Sequence, residues 1–248
     1  QGEEVMKRHQ RYRTIAAATI LLLFWQVFAM VKDNDMLVPY PWQVVQRMST
    51  QVFSVSFYTT LEVTLLRGFA GLIIAFLFAL FCAYLSYRSH IFRDLFYPFL
   101  LLTRSVPNIS YILIVLIIFA RSIAVILILF LILFPVIYSN LFSALLHMDK
   151  DLMEVMKLYP EKESYEIRRV YLPLLRPSIE ASLSAGMSLA FKVGVMAEIL
   201  GGMQEGIGRE LNLCRLNFDM IGMFAWTGWM IFLLVLMDRI LRVCIKER

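Results

Sequence analysis

The sequence predicts an all-α integral membrane protein with six transmembrane helices and a cytoplasmic helix-turn-helix coupling segment between helices four and five. Of the 248 residues, 60% are hydrophobic and only 17% are charged, and the mean hydropathy is +0.70. A soluble domain of this length needs more polar surface to cover its core. The apolar residues also fall in blocks long enough to cross about 30 Å of hydrocarbon as helices.

The six apolar blocks run roughly over residues 14–32, 59–87, 95–119, 122–146, 178–201 and 221–241. Each block is predicted to be helical, because lipid offers no partner for an unpaired backbone group and the two-residue alternation of a β-barrel strand is missing. Only Ala120-Arg121-Ser122 separates blocks three and four, which predicts a tight helical hairpin. Pro107 and Pro135 are expected to bend their helices, and a bend beside Arg104 would leave carbonyls free to face a cavity.

Basic residues set the predicted orientation. Of the 24 Lys and Arg residues, 16 lie in the N-terminal segment, the second loop, the fourth loop and the C-terminal segment, whereas 5 lie in the alternate segments. Because basic residues collect on the cytoplasmic side, this bias places both termini in the cytoplasm. The same rule explains the net charge of +5 without a nucleic-acid partner.

Two parts are expected along the chain. Residues 1–58 would form an N-terminal cytoplasmic tail, the first transmembrane helix and an external loop. Residues 59–248 would form a core of five helices, interrupted by the cytoplasmic loop at 151–173.

The fourth loop is too long and too regular to be a simple connection. One helical face carries Leu152, Val155, Met156 and Tyr159, and a second helical run carries Ile167, Val170 and Tyr171. Pro160 lies between the runs, where it would end the first helix and begin the second. The loop is therefore predicted to offer an apolar stripe, flanked by charges, to a groove on a soluble partner.

The loop resembles the EAA motif of importer permeases of the ATP-binding-cassette class. Glu154 takes the place of the motif's Glu, Val155 and Met156 its two alanines, Pro160 its glycine, Val170 its isoleucine, and Leu172-Pro173 its Leu-Pro. The spacing agrees throughout, while the alanines and the glycine are replaced. Proline keeps the helix break but cannot adopt the positive φ that glycine allows.

Other segments resemble the nitrate/sulfonate/taurine branch of the binding-protein-dependent permeases. They are Arg104-Ser-Val-Pro107, the stretch from Lys192 through Glu198 to Gly201, Gly206-Ile-Gly208, and Phe224-Ala-Trp226. Asn108-Ile-Ser-Tyr111 departs from the branch's aromatic pattern, which weakens any transfer of its substrate.

The resemblance implies a non-catalytic subunit of the bacterial inner (plasma) membrane that forms the translocation pathway for a small, possibly anionic solute. Its implied partners are two cytoplasmic ATPase subunits, which hold the ATP and Mg²⁺, a second copy of the permease or a close homologue, and an extracytoplasmic substrate-binding protein. No cofactor is expected in this chain, and its lipid partner is the bilayer.

Charged residues inside the apolar blocks need partners or water, because a lone charge there costs several kcal/mol. Arg104, Lys192 and Glu198, together with Pro107, are the candidate pathway residues. Lys192 and Glu198 are about 240° apart around one helix, so they cannot pair along one face. Lys192 and Arg104 either line the pathway or brace helix contacts, Glu198 could instead lie at the outer interface, and bracing is favoured for Arg67.

Two other classes of protein remain as alternatives: a secondary carrier or channel and, less favoured, a polytopic membrane enzyme. The sequence has no convincing internal repeat, as an inverted-repeat carrier would. It has no GxxxxGK[ST] phosphate loop and no HExxH, and Cys82, Cys214 and Cys244 are far apart. Neither a catalytic site nor a metal site is therefore predicted in this chain.

Overall fold

The computed structural model describes residues 2–32, 34, 37–148, 158, 159 and 161–246. In chain order its helices are α1 (Gly2–Lys32), α2 (Pro41–Val52), α3 (Val55–Arg88), α4 (His90–Ser105), α5 (Asn108–Ile118), α6 (Arg121–Leu146), α7 (Glu163–Glu166), α8 (Leu172–Leu200), α9 (Ile207–Leu216) and α10 (Met220–Lys246). A π-helical turn, Ile167–Tyr171, joins α7 to α8. The described residues contain no strand, which confirms the predicted all-α class.

Four of the described helical stretches are long and apolar enough to cross a membrane: Val55–Arg88, Arg121–Leu146, Ile167–Leu200 and Met220–Leu241. A fifth crossing is possible if the bent pair His90–Thr103 and Asn108–Ile118 counts as one. The apolar part of α1, Ala16–Lys32, is shorter. These spans confirm an all-α membrane protein, and the count of six stays a prediction.

The third apolar block is broken rather than straight. The axes of its two helical parts make an angle of 93°. Val106 and Pro107 both have extended ψ angles, near 130°, and so separate α4 from α5. The residue before a proline avoids the helical region, and proline itself has no N–H to donate to the preceding turn. The expected bend at Pro107 is therefore a complete break, whereas Pro135 lies inside a continuous α6.

The chain divides into two compact units, each of which draws on separate stretches of sequence. One unit combines Thr60–Arg209 with Leu234–Arg248. Its core is built around α6, whose Ile128, Leu129 and Leu133 are fully buried. Gly71 of α3 lies so close to α6 that an added Cβ would come within 2.5 Å of the Leu129 side chain. The hairpin expected between blocks three and four is formed by α5 and α6, joined through Phe119 and Ala120.

The other unit combines Gln1–Thr59 with Glu210–Leu233. Within it, the indole of Trp25 stacks on the ring of Phe224, with 5.5 Å between the ring centroids. The ring centroids of Phe57 and Trp229 are 4.8 Å apart. Trp229 Nε1 also donates to the side-chain oxygen of Gln51 at 3.1 Å. These divisions do not test the expected boundary after residue 58, which stays a prediction.

The end of the fourth loop differs from the expected form. The second helical run is not separate from block five, because helix continues from Glu163 through the π-turn and Pro173 to Leu200. In the π-turn, the N–H of Leu172 donates to the carbonyl of Ile167, five residues earlier. Pro173 has no N–H to donate, so a widened turn immediately before it loses no hydrogen bond at that position.

Candidate functional site

The carboxylate of Glu198 lies at the centre of a buried polar site on α8. Only 1% of the Glu198 side chain is exposed. Its Oε1 is 2.9 Å from Arg67 Nη1 on α3, which is itself only 14% exposed. Its Oε2 accepts a hydrogen bond of 2.9 Å from the backbone N–H of Gly208. The charge of Glu198 is thus compensated by an arginine and by the backbone of the loop after α8.

Thr64, one turn before Arg67 on α3, connects the two sides of this site. Its hydroxyl lies 3.0 Å from Glu198 Oε2 and 3.1 Å from Oε1, to which it donates. The same oxygen accepts a 2.8 Å hydrogen bond from the N–H of Ile207, the first residue of α9. Thr64 is 1% exposed, so both of its hydrogen bonds are shielded from solvent.

Two glycines allow the loop to approach the carboxylate closely. Gly206 has φ +109°, which L side chains rarely adopt, and a Cβ there would lie 2.6 Å from Glu198 Oε2. A Cβ on Gly208 would lie 2.8 Å from the carbonyl oxygen of Val195. Both positions therefore require glycine, one for its backbone conformation and both for lack of space.

Arginine side chains from two helices also donate hydrogen bonds to backbone carbonyls of this loop. Arg67 Nη1 donates to the carbonyl of Glu205 at 3.0 Å, in addition to its ion pair with Glu198. Arg121, the first residue of α6, donates to the carbonyl of Gly202 at 3.2 Å. The loop between α8 and α9 is consequently fixed to α3, α6 and α8. We refer to Thr64, Arg67, Glu198, Gly206 and Gly208 as the Glu198 cluster.

The chemistry of this cluster is that of a structural ion pair. The Glu198 carboxylate has three donors, because Arg67 donates to Oε1, the Gly208 N–H donates to Oε2, and the single hydroxyl proton of Thr64 is shared between the two oxygens. Within the part of the chain that the structure describes, no three His, Cys, Asp or Glu side chains are grouped closely enough to hold a metal ion. The arrangement brings Glu198 and Arg67 together and fixes a loop, while the pathway role of Glu198 remains a prediction.

Lys192 is placed differently from Glu198 on the same helix. Its side chain is exposed, in a stretch where Phe191, Val193 and Val195 are all buried. Among the described residues, no carboxylate forms an ion pair with it. Lys192 thus projects from the outer face of α8, away from the core of its own unit.

Arg104 and Pro107 lie on the two sides of the break between α4 and α5. The backbone of Arg104 belongs to the last turn of α4, and its side chain lies outside the described atoms. Tyr111, one turn into α5, donates its hydroxyl to the Asn108 side chain at 2.6 Å. The structure therefore places these two predicted residues at a helix break and leaves their pathway role as a prediction.

Only part of the predicted coupling motif lies within the described residues. Glu154, Val155, Met156 and Pro160 lie outside them. Val170 is half-buried at the end of the π-turn, and Leu172 and Pro173 are exposed in the first turn of α8. Tyr171, which fills the motif's variable position, is buried at 7% exposure.

Sequence reasoning missed Thr64 and Arg121, and it singled out Gly206 and Gly208 only through a resemblance. Thr64 carries no charge and fits an apolar helix, so nothing in its local pattern signals a role. Gly206 and Gly208 follow block five closely and flank one residue, a spacing that indicates a tight turn at a helix start. That spacing is the local signal by which the loop could have been found.

Comparisons with known proteins agree with this architecture. Residues 71–246 match the family described as "Binding-protein-dependent transport system inner membrane component". The chain is also 24% identical, over 233 residues, to the putative aliphatic sulfonates transport permease protein SsuC of Bacillus subtilis (strain 168). That similarity covers 90% of this chain and 83% of the relative.

Proposed function

The chain belongs to the family of binding-protein-dependent transport system inner membrane components, and from this premise we propose that it forms, with a second permease copy, the passage for a small anionic solute. Family membership makes the chain a multi-pass permease subunit of an ATP-binding-cassette importer. Permeases of this family are generally non-catalytic and work with an ATPase and a substrate-binding protein. The solute, the copy numbers and the mode of coupling are the proposed parts.

The position of Lys192 is the observation that supports an anionic solute. Between Glu180 and Glu198, Lys192 is the one charged residue of α8, and an exposed ammonium group in such a stretch needs water, a partner subunit or an anion beside it. Lys192 has no carboxylate partner among the described residues, whereas Glu198 on the same helix is fully compensated by its own unit. We therefore assign Lys192 to the wall of the passage, where it attracts the solute's negative charge.

The relative's name gives the proposed solute a chemical class. It refers to aliphatic sulfonates, and a sulfonate is a fixed oxyanion with an apolar tail. A lysine is suited to such a group because it presents a compact charge with three donors. We propose a small sulfonate or a similar oxyanion as the solute of this permease.

We propose a second permease copy because Lys192 projects outward from α8, and a passage beside Lys192 needs a second wall opposite that helix. The exposed face of α8 also carries Ala181 and Ala185, and small residues allow helices to approach closely in lipid. Two copies, or one copy and a close homologue, would place two such helices on either side of one passage.

Coupling to ATP is assigned to the motif segment that ends at Pro173. ATP and Mg²⁺ would be held by two cytoplasmic ATPase subunits, which dock on this segment of each permease. Glu154 would accept charge-assisted hydrogen bonds from the ATPase surface, each worth about 1.5–3 kcal/mol. Loss of Glu154 should therefore weaken docking much more than it weakens the permease fold.

A pull-down with tagged permease tests this assignment. Glu154→Ala should leave the permease inserted and able to self-associate, but it should recover less ATPase and show less solute-stimulated hydrolysis in liposomes. Glu161→Ala is the matched control, because Glu161 is an exposed carboxylate in the same loop but outside the motif. Equal ATPase recovery by both variants would remove Glu154 from the docking surface. An unsubstituted permease that recovers no ATPase would refute the proposed function itself.

A further inference from the structure

Tyr171 lies between the motif residues Val170 and Leu172. Its ring is buried, whereas Val170 is half-buried and Leu172 is exposed. We infer that Tyr171 is a positioning residue that transmits movement of the motif segment to α3. This inference rests on the proposed function, since it assumes that an ATPase acts on the segment.

The ring of Tyr171 lies between two tyrosines near the end of α3. Its centroid is 5.8 Å from that of Tyr84 and 6.0 Å from that of Tyr87, with interplanar angles of 80° and 71°. Edge-to-face pairs at this separation are favourable arrangements of aromatic rings. Tyr84 and Tyr87 are three residues apart, so they present one helical face to Tyr171.

Among the described motif residues from Val170 to Pro173, Tyr171 is the one whose side chain is buried in the core. Tyr171 is 7% exposed, whereas Leu172 is 39% exposed and Pro173 is exposed as well. A docked ATPase can reach the exposed residues but not the buried ring. Movement of the last residues of the motif would therefore reach the helical core through the ring of Tyr171.

The backbone at Tyr171 departs from regular α-helical spacing. Tyr171 ends the π-turn, in which the N–H of Leu172 donates to the carbonyl of Ile167. Single π-turns inside longer helices occur frequently at functional sites. A turn that already departs from the α-helical spacing can change its hydrogen bonds while α8 beyond it stays intact.

α3 carries this contact toward the Glu198 cluster. Tyr84 and Tyr87 lie at one end of α3, and Thr64 and Arg67 lie about 30 Å away along the same helix. Tyr171 and Glu198 likewise lie near opposite ends of the stretch that contains α8. α3 and the continuous stretch Ile167–Leu200 thus meet at two distant places, through the aromatic contact at Tyr171 and through the ion pair at Glu198.

The number of solute molecules transported per ATP hydrolysed, called the transport ratio below, measures this coupling. The permease, its ATPase and its binding protein are reconstituted in liposomes, and both quantities are recorded for each variant. Tyr171→Ala should leave ATPase recovery and basal hydrolysis unchanged and lower the transport ratio by roughly 5- to 100-fold, the range expected when a coupling contact is lost. Tyr171→Phe, which keeps the ring, should retain a ratio well above that of Tyr171→Ala.

Tyr165→Ala is the matched control, because Tyr165 belongs to the same segment but is 52% exposed. Its ratio should not change. Tyr84→Ala should lower the ratio less than Tyr171→Ala does, because Tyr87 still contacts the ring. The double variant Tyr84→Ala/Tyr171→Ala should fall no further than Tyr171→Ala, because the contact with Tyr84 is already lost when Tyr171 is removed. If Tyr171→Ala does not fold, Tyr171→Leu removes the ring while keeping an apolar side chain in its place.

A transport ratio that is unchanged in both Tyr171→Ala and Tyr171→Leu would overturn the inference. Loss of ATPase recovery in Tyr171→Ala would also overturn it, since Tyr171 would then only shape the docking surface. An unsubstituted complex that neither recovers an ATPase nor transports refutes the proposed function instead. The two failures are therefore distinguishable in one experiment.

Discussion

Arg67 and Glu198 form a 2.9 Å ion pair that is almost wholly withdrawn from solvent, although 131 residues separate them in the sequence. Each is a charged residue in a helix that is apolar enough to cross a membrane. Their pairing, with Thr64 and the Gly208 N–H as further donors to the carboxylate, explains how both charges are tolerated.

The first prediction concerns the stability of this pair. Arg67→Met or Glu198→Gln alone should each lower the free energy of unfolding by about 3–5 kcal/mol, because the remaining group stays buried without its partner. The double variant should be less destabilised than the sum of the two single variants. Thermal unfolding of the detergent-solubilised protein measures all three.

The pair Arg176–Glu180 is the control for this cycle. It has the same kind of contact at 2.8 Å, but its side chains are 46% and 30% exposed. Its substitution by Met and Gln should cost only about 0–1 kcal/mol. Equal losses for the two pairs would show that burial of Arg67 and Glu198 is unimportant.

The second prediction concerns Gly206. Gly206→Ala should destabilise the protein by at least about 2 kcal/mol, because alanine is strained at φ +109° and its Cβ would press on the Glu198 carboxylate. Gly68→Ala is the control, since nothing lies within 4 Å of an added Cβ on Gly68 in α3. That substitution should change stability by less than about 1 kcal/mol. The same unfolding assay would contradict the account if both variants melted alike.

The third prediction concerns Lys192. Lys192→Met should lower uptake of an alkanesulfonate by roughly tenfold or more, because one charge-assisted contact to the anion is lost. Assembly and detergent stability should remain nearly unchanged, since the side chain lies outside the core. Met196→Leu alters a neighbouring position, 38% exposed on the same helix, without changing charge, and should transport normally. Loss of the folded assembly in Lys192→Met would instead assign Lys192 a bracing role.

The fourth prediction concerns the thiol of Cys214 on α9. Its pKa is raised to about 11, mainly because burial disfavours the thiolate and further because Asp219 and Glu210 repel it, while Arg47 lowers the pKa. At pH 8 iodoacetamide should therefore alkylate Cys214 roughly 100-fold more slowly than an exposed thiol, and the rate should rise until pH reaches about 11.

Single-cysteine protein, with Cys82 and Cys244 changed to serine, isolates this reaction. Asp219→Asn should speed alkylation at pH 8 because it removes a repelling charge, and Arg47→Met should slow it because it removes an attracting one. Both residues belong to one ion pair of 3.5 Å, so opposite effects identify charge rather than packing as the cause. If iodoacetamide alkylated Cys214 at pH 8 as fast as it alkylates the thiol of glutathione, the raised pKa of Cys214 would be excluded.

The fifth prediction concerns orientation. A reporter fused after Met203 should be found outside the cell membrane, and one fused after Arg248 should be found inside. The reason is the excess of basic residues on the segments assigned to the cytoplasm. The reverse pattern of reporter activity would invert the assignment.

Hydrophobic blocks were sufficient to find the long helices, because length and apolar content alone decide whether a segment can cross lipid. The amphipathic helices α2 and α9 were missed, since each is short and mixes polar with apolar residues. The break in block three was foreseen as a bend at Pro107, because proline acts locally on the chain. The angle of 93° depends on how α4 and α5 pack, and no local pattern specifies that.

The Glu198 cluster shows the same division between local and long-range information. The sequence identified Arg67 and Glu198 as charges in need of partners, and the structure makes each the partner of the other. The pairing itself could not be read from the chain, because it depends on how α3 and α8 align. Tyr171 was recognised as part of a helical run, but its contact with Tyr84 and Tyr87 also depends on that alignment.

The 131-residue separation of Arg67 and Glu198 has a consequence for biogenesis. At about 5–20 residues per second, a ribosome completes Glu198 on the order of ten seconds after Arg67. Throughout that interval the guanidinium of Arg67 lacks the carboxylate of Glu198, and a lone charge in hydrocarbon costs several kcal/mol. The segment around Arg67 is therefore expected to reach its full stability in the membrane only after α8 has been synthesised.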